Sequence, residues 1–350
     1  MNGDFLVLLD EFEKEKGISK DILIEALEAA LVSAYKRNYG SNYSARVQID
    51  RQTGGMRVFL QKKVVEMADD SVSQISLAEA KRINSAYEIG DIVEEETVPQ
   101  TFSRIAAQTA RQVVTQRIRE AERGMLYDEF ASKENDIITG IVQRVEKRNI
   151  MIDIGKTEVM LAPQEQVSSE VYQQGQRIKL YVVEVQKTTK GPQILLSRTH
   201  PGLVRRLFEL EVPEIKNGTV EIKGISREAG SRTKIAVASN DQNVDPIGAC
   251  VGHKGIRVQK IVEELKGEKL DIIKYSDNIA EYISAALAPA NALSVKLDEE
   301  AKICTVEVAG HQLSLAIGKE GQNVRLAAKL TGWKIDILKS ESQQDDYGEA

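Results

Sequence analysis

The C-terminal part of the chain contains an internal repeat built around two glycine pairs, Gly252–Gly255 and Gly318–Gly321. Each pair follows two alternating, strand-like segments and a short apolar helix. Each is followed by a second helix and a closing strand, Lys269–Ile272 or Lys334–Ile337. The two copies are offset by 66 residues at the glycines and by 65 at the closing strands. A repeated supersecondary unit predicts two similar domains in tandem.

The position of the two glycine pairs between helices, and not their number, indicates a function. In a chain with 24 glycines, chance alone produces about as many G-x-x-G pairs as are present. Both pairs, however, lie between the end of an apolar helix and the start of a new one. In a KH domain such a loop clamps the nucleic-acid backbone, because glycine permits close approach and the following helix N-terminus favours phosphate. Two helical hairpins without a ligand are the alternative interpretation.

We expect RNA contacts from residues in and just after the two loops. Lys254 and Lys319 place an ammonium group inside each loop, while a carboxylate at Glu320 is unfavourable beside phosphate unless it points away. The first loop is therefore expected to make the stronger backbone contact. The candidate residues are Gly252, His253, Lys254, Gly255, Arg257, Gly318, Lys319, Glu320, Gly321, Asn323 and Arg325.

Strand-like segments follow one another closely between Ile137 and Ser197, with glycines between them and no helix longer than a turn. Five short strands in one segment predict a small closed barrel of the OB type, whose concave face suits single-stranded nucleic acid. Tyr172 and Tyr181 are the only aromatic residues there. The barrel is therefore expected to hold RNA by charge more than by stacking, through Arg144, Lys147, Arg148, Lys187 and Lys190.

Residues 1–135 predict one domain of helices and strands that ends in a long helix. Helical periodicity runs from Phe5 to Phe12, with Gly17 as a stop, and starts again after the candidate cap Ser19. The other predicted elements are a strand hairpin at 45–50 and 56–65, a capping box at Ser76–Glu79, and a long helix from Ser103 to about Ser132.

Composition is that of a globular protein, with 42% hydrophobic and 29% charged residues and no apolar stretch near the about 20 residues of a membrane span. The N-terminus has no basic flank, and Cys250 and Cys304 are far apart, so we expect a cytoplasmic location and free, structural cysteines. The net charge of −6 divides into −5 for 1–135, +3 for 136–340 and −4 for 341–350. A weakly basic middle agrees with a central RNA-facing part.

The chain offers no catalytic or metal-binding pattern, so we expect neither enzymatic activity nor a cofactor. Gly155–Thr157 is similar to the end of a phosphate-binding P-loop, but Ile150 stands where that pattern requires a glycine. His200, His253 and His311 have no partner at metal-ligand spacing. An RNA-processing protein or a ribosome-associated KH protein is the alternative function.

Four segments resemble the NusA family of bacterial transcription elongation and termination factors. SNDQNVDPIGACVGHKGIRVQ and QLSLAIGKEGQNVRLAAKLTGWKIDI are similar to the paired KH domains of that family. SRIAAQTARQVVTQRIREAE resembles the long helix that closes its N-terminal domain, and TTKGPQILLSR resembles the end of its S1-type barrel. The likeness runs in order from about residue 4 to 340.

The resemblance implies an N-terminal domain that docks on RNA polymerase near the RNA exit channel, and a barrel and two KH domains that bind emerging single-stranded RNA. Modulation of pausing, intrinsic termination and antitermination, together with other elongation and antitermination factors, is the implied outcome. The expected fold class is α+β and multidomain: an α/β N-terminal domain with a long helix, a five-stranded OB-type (S1-like) barrel and two tandem type II KH domains. The expected boundaries are 1–135 for the N-terminal domain, 136–200 for the barrel, 201–276 and 277–340 for the KH domains, and 341–350 for an acidic tail.

Overall fold

A computed structural model describes residues 7, 9–11, 13–14, 19–40, 43–97 and 102–340. The chain divides into two compact units, which are Met1–Asp128 with Thr189–Pro192, and Glu129–Thr188 with Gln193–Ala350. Among the described residues, no helix is both long and apolar enough to cross a membrane.

The first unit packs helices against a four-stranded sheet. Its elements are α1 (Lys20–Tyr39), β1 (Ser44–Ile49), β2 (Met56–Val65), β3 (Gln74–Ser76), α2 (Leu77–Ile83), β4 (Ile92–Thr97) and α3 (Phe102–Ala131). Strand β2 is central, since it pairs antiparallel with β1 and β4 and parallel with β3. Leu27 and Leu31 of α1, Val47 of β1 and Phe102 of α3 are buried together in the main core.

Several sequence-based expectations for this unit are confirmed, and others are corrected. The hairpin of β1 and β2 is present, and Ser76 and Glu79 form the predicted capping box at the start of α2. Ser19 precedes α1, but its side chain makes no capping hydrogen bond. Helix α3 already includes Phe102, so Ser103 is not its first residue.

Strands β3 and β4 were not expected from the sequence. Strand β3 has only three residues, and β4 contains Glu94–Glu96, a residue type depleted in strands. Both segments are strands because they pair with β2, and not because their residues have a high intrinsic strand propensity. The predicted helix at 5–12 with its stop at Gly17 falls largely outside the described residues, and the acidic tail at 341–350 does so entirely.

The barrel contains the five predicted strands. They are β5 (Ile137–Glu146), β6 (Asn149–Asp153), β7 (Glu158–Leu161), β8 (Arg177–Thr188) and β9 (Gly191–Ser197). They pair in the order β7-β6-β5-β8-β9 and form a nearly closed barrel. Ile152, Leu161, Leu180 and Leu196 are fully buried, because alternate residues of each strand point to the interior.

Two KH domains follow, as predicted. The first contains α4 (Pro201–Glu211), α5 (Pro213–Lys216), β10 (Val220–Glu228), β11 (Arg232–Ser239), α6 (Pro246–Val251), α7 (Ile256–Glu264) and β12 (Lys269–Lys274). The second contains α8 (Ile279–Ala286), β13 (Ala292–Asp298), β14 (Ile303–Val308), α9 (Leu313–Ile317), α10 (Gln322–Thr331) and β15 (Lys334–Lys339). In each, the middle strand pairs antiparallel with the first strand and parallel with the last. Sequence reasoning missed the leading helices α4, α5 and α8.

A fully buried arginine joins the barrel to the first KH domain. The Arg198 side chain has no exposed surface, and all five of its N–H donors have an acceptor. Two donors bind the Glu170 carboxylate of the barrel, and one binds the carbonyl of Lys179 at 2.9 Å. The other two bind Glu264, at the end of α7, through its carboxylate at 3.2 Å and its carbonyl at 3.0 Å.

A second buried cation joins the two KH domains. Lys234 of β11 is fully buried, and its ammonium donates to Asp271 Oδ2 at 2.9 Å and to the carbonyl of Ala288, just after α8, at 2.7 Å. Apolar contacts accompany it, since Ile273 of β12 packs in one core cluster with Tyr282 of α8. The barrel and the two KH domains are therefore linked in series by buried charges.

Cys250 and Cys304 are free and buried, as predicted. Burial raises the pKa of the Cys250 thiol to about 12 and that of the Cys304 thiol to about 11. Both thiols therefore stay protonated near neutral pH and act as small apolar groups in the two KH cores.

Replacement of Arg198 by Met should lower the free energy of unfolding by about 3–5 kcal/mol, because the Glu170 carboxylate is left buried without its cation. Urea unfolding followed by circular dichroism measures the loss. Arg206→Met is the matched control, since its side chain is 36% exposed where it pairs with Glu209, and such pairs contribute up to about 1 kcal/mol. Equal losses in the two variants would contradict the role of Arg198.

Candidate nucleic-acid interface

The two glycine loops are the same structural element. We call 252–255 the first glycine loop and 318–321 the second. Gly252 and Gly318, which open the loops, have φ/ψ of 74°/176° and 76°/171°. The residues two places later, Lys254 and Glu320, have 50°/27° and 54°/27°, in the left-handed region. The internal repeat in the sequence therefore corresponds to a repeat in backbone conformation.

The chain itself requires the first glycine of each loop. A Cβ atom on Gly252 would lie 2.7 Å from Cγ of Arg257, and one on Gly318 would lie 2.7 Å from the backbone N of Asn323. The positive φ of both residues also favours glycine. These glycines are thus needed for local packing, in addition to any close approach of a ligand.

Arg257 and Asn323 occupy equivalent positions and support the loops from behind. An Arg257 Nη donates to the carbonyl of Ala249 at 2.6 Å, and Asn323 Nδ2 donates to that of Leu315 at 3.3 Å. In both cases the acceptor is eight residues earlier, in the helix before the loop. Arg257 also pairs with Glu214 at 2.9 Å. Both residues are expected from the sequence to contact RNA; in the structure each donates to a carbonyl of the preceding helix.

Asn323 is the more deeply buried of the two. Its side-chain amide also donates to the carbonyls of Ala316 at 3.1 Å and Leu287 at 2.9 Å, while its Oδ1 atom has no hydrogen-bond partner among the described residues. The sequence does not reveal these hydrogen bonds, because a polar side chain in the first turn after the loop suits a helix carbonyl as well as RNA.

Arg325 is exposed but already engaged. Its Nε donates to Glu228 Oε1 at 2.6 Å, and an Nη donates to the carbonyl of Glu320 at 3.1 Å. The hydrogen bond from Arg325 holds the pKa of the Glu228 carboxyl below its ordinary value. Arg325 therefore connects the second glycine loop to the first KH domain.

Four loop side chains remain directed to solvent: His253, Lys254, Lys319 and Glu320 are all exposed. Neither lysine forms an ion pair with any of the described residues. Gly255 and Gly321 are the N-cap residues of helices α7 and α10, and neither helix has a side-chain cap. Each loop therefore presents exposed side chains at an uncapped helix N-terminus, an arrangement that favours an anion.

The barrel cations are spread out. Arg144 of β5 pairs with Glu146 at 2.8 Å and Glu158 at 3.7 Å. Lys147 and Arg148 are exposed on the turn after β5, and Lys187 is exposed near the end of β8. Because β5 and β8 are antiparallel, these positions lie toward opposite ends of the pair. Lys190 is exposed on the turn that follows β8.

A barrel of this type followed by two KH domains with exposed glycine loops defines a nucleic-acid-binding protein. Four family models match the chain: the NusA N-terminal domain at 4–124, the S1 RNA binding domain at 132–197, the NusA-like first KH domain at 198–275 and the NusA-like second KH domain at 279–345. Together they span nearly the whole sequence.

Full-length relatives agree with the family models. The chain is 58% identical to the transcription termination/antitermination protein NusA of Halalkalibacterium halodurans, over 99% of this chain and 91% of that protein. Identity to the protein of the same name from Bacillus subtilis is 56%, over 99% and 94% of the two chains. Identity to the protein of the same name from Thermus thermophilus is 43%, over 100% of this chain and 93% of that protein.

The chain belongs to the NusA family of transcription termination/antitermination proteins. Its S1 and KH domains make it an RNA-binding transcription factor.

The two glycines of one loop should differ in their tolerance of alanine. Gly318→Ala brings a Cβ atom against the Asn323 backbone and should cost roughly 3 kcal/mol. Gly321→Ala meets only Val324 at 4.0 Å and should cost about 1 kcal/mol for the left-handed backbone alone. Trp333, the single tryptophan, packs against the core of the second KH domain. Its fluorescence during urea unfolding therefore measures the loss of stability in each variant. Equal costs would mean that the loop relaxes around the added methyl group.

Proposed function

We propose that the two glycine loops clamp the backbone of single-stranded nascent RNA while the N-terminal domain docks on RNA polymerase, so that the protein modulates pausing, intrinsic termination and antitermination. The observation that carries this proposal is the shared conformation of the loops, with exposed side chains at two uncapped helix N-termini. The domain order and the family membership support it.

We propose direct RNA contacts for the exposed loop residues and supporting roles for the braced ones. His253, Lys254 and Lys319, together with the loop glycines, face the RNA backbone. Arg257 and Asn323 shape the loops, because a donor of each already binds a carbonyl of the preceding helix. This division follows from hydrogen bonding, since a donor that already has a buried acceptor gains little from a phosphate.

The two loops are unequal in charge. The left-handed position carries a cation in the first loop, Lys254, and a carboxylate in the second, Glu320. The preceding position carries His253 and Lys319 respectively. Since phosphate is favoured by a nearby ammonium and disfavoured by a carboxylate, the first loop is the stronger backbone clamp in this proposal.

The barrel contributes charge more than stacking. Tyr181 is buried, and its ring stacks on His200 at 4.7 Å between centroids. The hydroxyl of Tyr172 accepts a hydrogen bond from the backbone N of Val167 at 3.0 Å. Both barrel tyrosines thus make contacts within the protein. These contacts support a mode of RNA binding that depends on charge, through Arg144, Lys147, Arg148, Lys187 and Lys190.

The remaining parts of the proposal follow from the family. RNA polymerase and other elongation and antitermination factors are the protein partners, the protein acts in the cytoplasm, and it works without catalysis or a cofactor. The domain boundaries at 135, 200, 276 and 340 are proposed accordingly. The sheets at 44–97, 137–197, 220–274 and 292–339 each fall inside one of these segments.

Charge changes at the left-handed loop position should alter RNA affinity in opposite directions. Lys254→Asp should weaken binding of single-stranded RNA by roughly tenfold, and Glu320→Lys should strengthen it. Neither change strains the backbone, since aspartate tolerates the left-handed region and the first loop already holds lysine there. Fluorescence anisotropy at several salt concentrations measures both, and Lys254→Asp should also make the salt dependence shallower, by about 0.7 in slope for each phosphate that the variant no longer neutralises.

Lys296→Asp is the matched control, because it makes the same charge change on strand β13, where Lys296 is 72% exposed. If this variant bound RNA as weakly as Lys254→Asp, overall charge would explain the effect and the first loop would not be an RNA clamp.

Polymerase docking should be independent of the loops. The full chain carrying Lys254→Asp should co-purify with bacterial RNA polymerase as well as the wild type does, because the substitution lies in the KH region and docking is assigned to the N-terminal domain. Size-exclusion chromatography of the mixture measures this. Loss of polymerase binding in the Lys254→Asp variant would contradict the proposed separation of functions.

A further inference from the structure

The β10–β11 turn at 228–232 lies where the barrel and both KH domains meet. On one side, Ser169 Oγ of the barrel donates to the carbonyl of Gly230 at 3.2 Å. A Cβ atom on Gly230 would lie 2.2 Å from Ser169 Oγ and 2.4 Å from Cγ1 of Val167, so the turn is packed tightly against the barrel. The turn therefore has little freedom to move.

On its other side, the same turn binds the second KH domain. Gln322 Nε2 donates to Glu228 Oε2 and to Ser231 Oγ, both at 2.8 Å. Arg325 Nε donates to Glu228 Oε1 at 2.6 Å. The two carboxylate oxygens of Glu228 thus each bind one side chain from the helix that follows the second glycine loop.

These two side chains are linked directly to that loop. Gln322 is the residue after Gly321, and Arg325 also donates to the carbonyl of Glu320, inside the loop, at 3.1 Å. The contact therefore runs from the barrel through the turn of the first KH domain to the loop of the second.

The first glycine loop has no such connection among the described residues. The residues equivalent to Gln322 and Arg325 are Ile256, which is 54% exposed, and Gln259, which donates within α7 to Glu263 at 3.2 Å. The loop residues themselves are supported within the first KH domain, where Arg257 pairs with Glu214. The contact of α7 with the barrel lies at the other end of that helix, at Glu264. The two loops share a conformation but are held by different parts of the chain.

We propose that Glu228 is a positioning residue through which the first KH domain sets the second glycine loop for RNA. The proposal rests on the RNA-clamping function proposed above. Glu228 does not touch the RNA itself. The carboxylate acts through Arg325 and Gln322, and it stays ionised because Arg325 stabilises its charged form. With 24% exposure, it is shielded enough from solvent for the contact to matter.

A positioning role predicts a change in RNA affinity opposite in direction to the change that charge alone predicts. Removal of a carboxylate near an RNA-binding surface reduces repulsion and should raise affinity on charge grounds alone. If Glu228 positions the loop, its removal should lower affinity instead.

The test compares two alanine substitutions on one strand in the full chain. Glu228→Ala should weaken binding of a mixed-sequence single-stranded RNA, long enough to reach both loops, by roughly tenfold. Glu221→Ala, also on β10, removes a carboxylate whose partners among the described residues, Lys223 and Asn240, both lie in the first KH domain. This variant should leave affinity unchanged or higher. Glu228→Gln, which keeps an oxygen acceptor, should recover part of the affinity.

Two further variants separate positioning from direct contact. Gln322→Ala changes no charge and should also weaken binding, and it decides the matter if circular dichroism shows Glu228→Ala to be unfolded. Arg325→Ala should cost little more in the Glu228→Ala background than Glu228→Ala costs alone, because the two residues act as one unit. Additive effects would mean that Arg325 binds phosphate itself and would overturn the proposal.

The outcomes also distinguish this inference from the function on which it depends. If Lys254→Asp weakens RNA binding while Glu228→Ala behaves like Glu221→Ala, the positioning role is overturned and the loop clamp stands. If RNA binding is indifferent to both loops, the clamp and the positioning role are both overturned.

Discussion

Arg198 is the constraint on which the RNA-facing part of the structure depends. A guanidinium without solvent contact is tolerated only if every donor is matched, and Arg198 finds its acceptors in the barrel, at Glu170 and Lys179, and in the first KH domain, at Glu264. Glu264 ends the helix that begins at the first glycine loop. The buried charge thus fixes the orientation of that helix, and with it the loop, relative to the barrel.

The two KH domains show how one backbone conformation is maintained by different chemistry. At equivalent positions, an arginine and an asparagine bind the carbonyl eight residues earlier, and they leave the loops nearly identical. The arginine is suited to the first domain, because α5 supplies Glu214 as a counter-charge. In the second domain the same position is buried among carbonyls, and an uncharged amide is stable there without a counter-charge.

Local sequence signals predicted the parts of the fold that local physics determines. The five barrel strands, the capping box at Ser76 and the two glycine loops follow from periodicity and residue type at known spacing. Strand β4, with its run of glutamates, forms because β2 is beside it, which no local pattern reveals. The ion pairs of Arg257 and Arg325 are not apparent from the sequence for the same reason. A cation after a glycine loop looks alike in sequence whether it faces a ligand or a carboxylate of the neighbouring helix or domain.

In the proposed RNA clamp, the charges at the domain joints act on affinity by fixing the spacing of the two loops. In the proposed clamp the second loop is the weaker phosphate site, because Glu320 occupies its left-handed position. Held at a fixed distance from the first loop, it meets an already bound strand at high effective concentration, so a modest intrinsic affinity is sufficient. That gain depends on stiffness, because a flexible joint would spread the second loop over many positions that the strand cannot reach. The contacts of Arg198, Lys234 and Glu228 lie at the joints where the proposed clamp needs such stiffness.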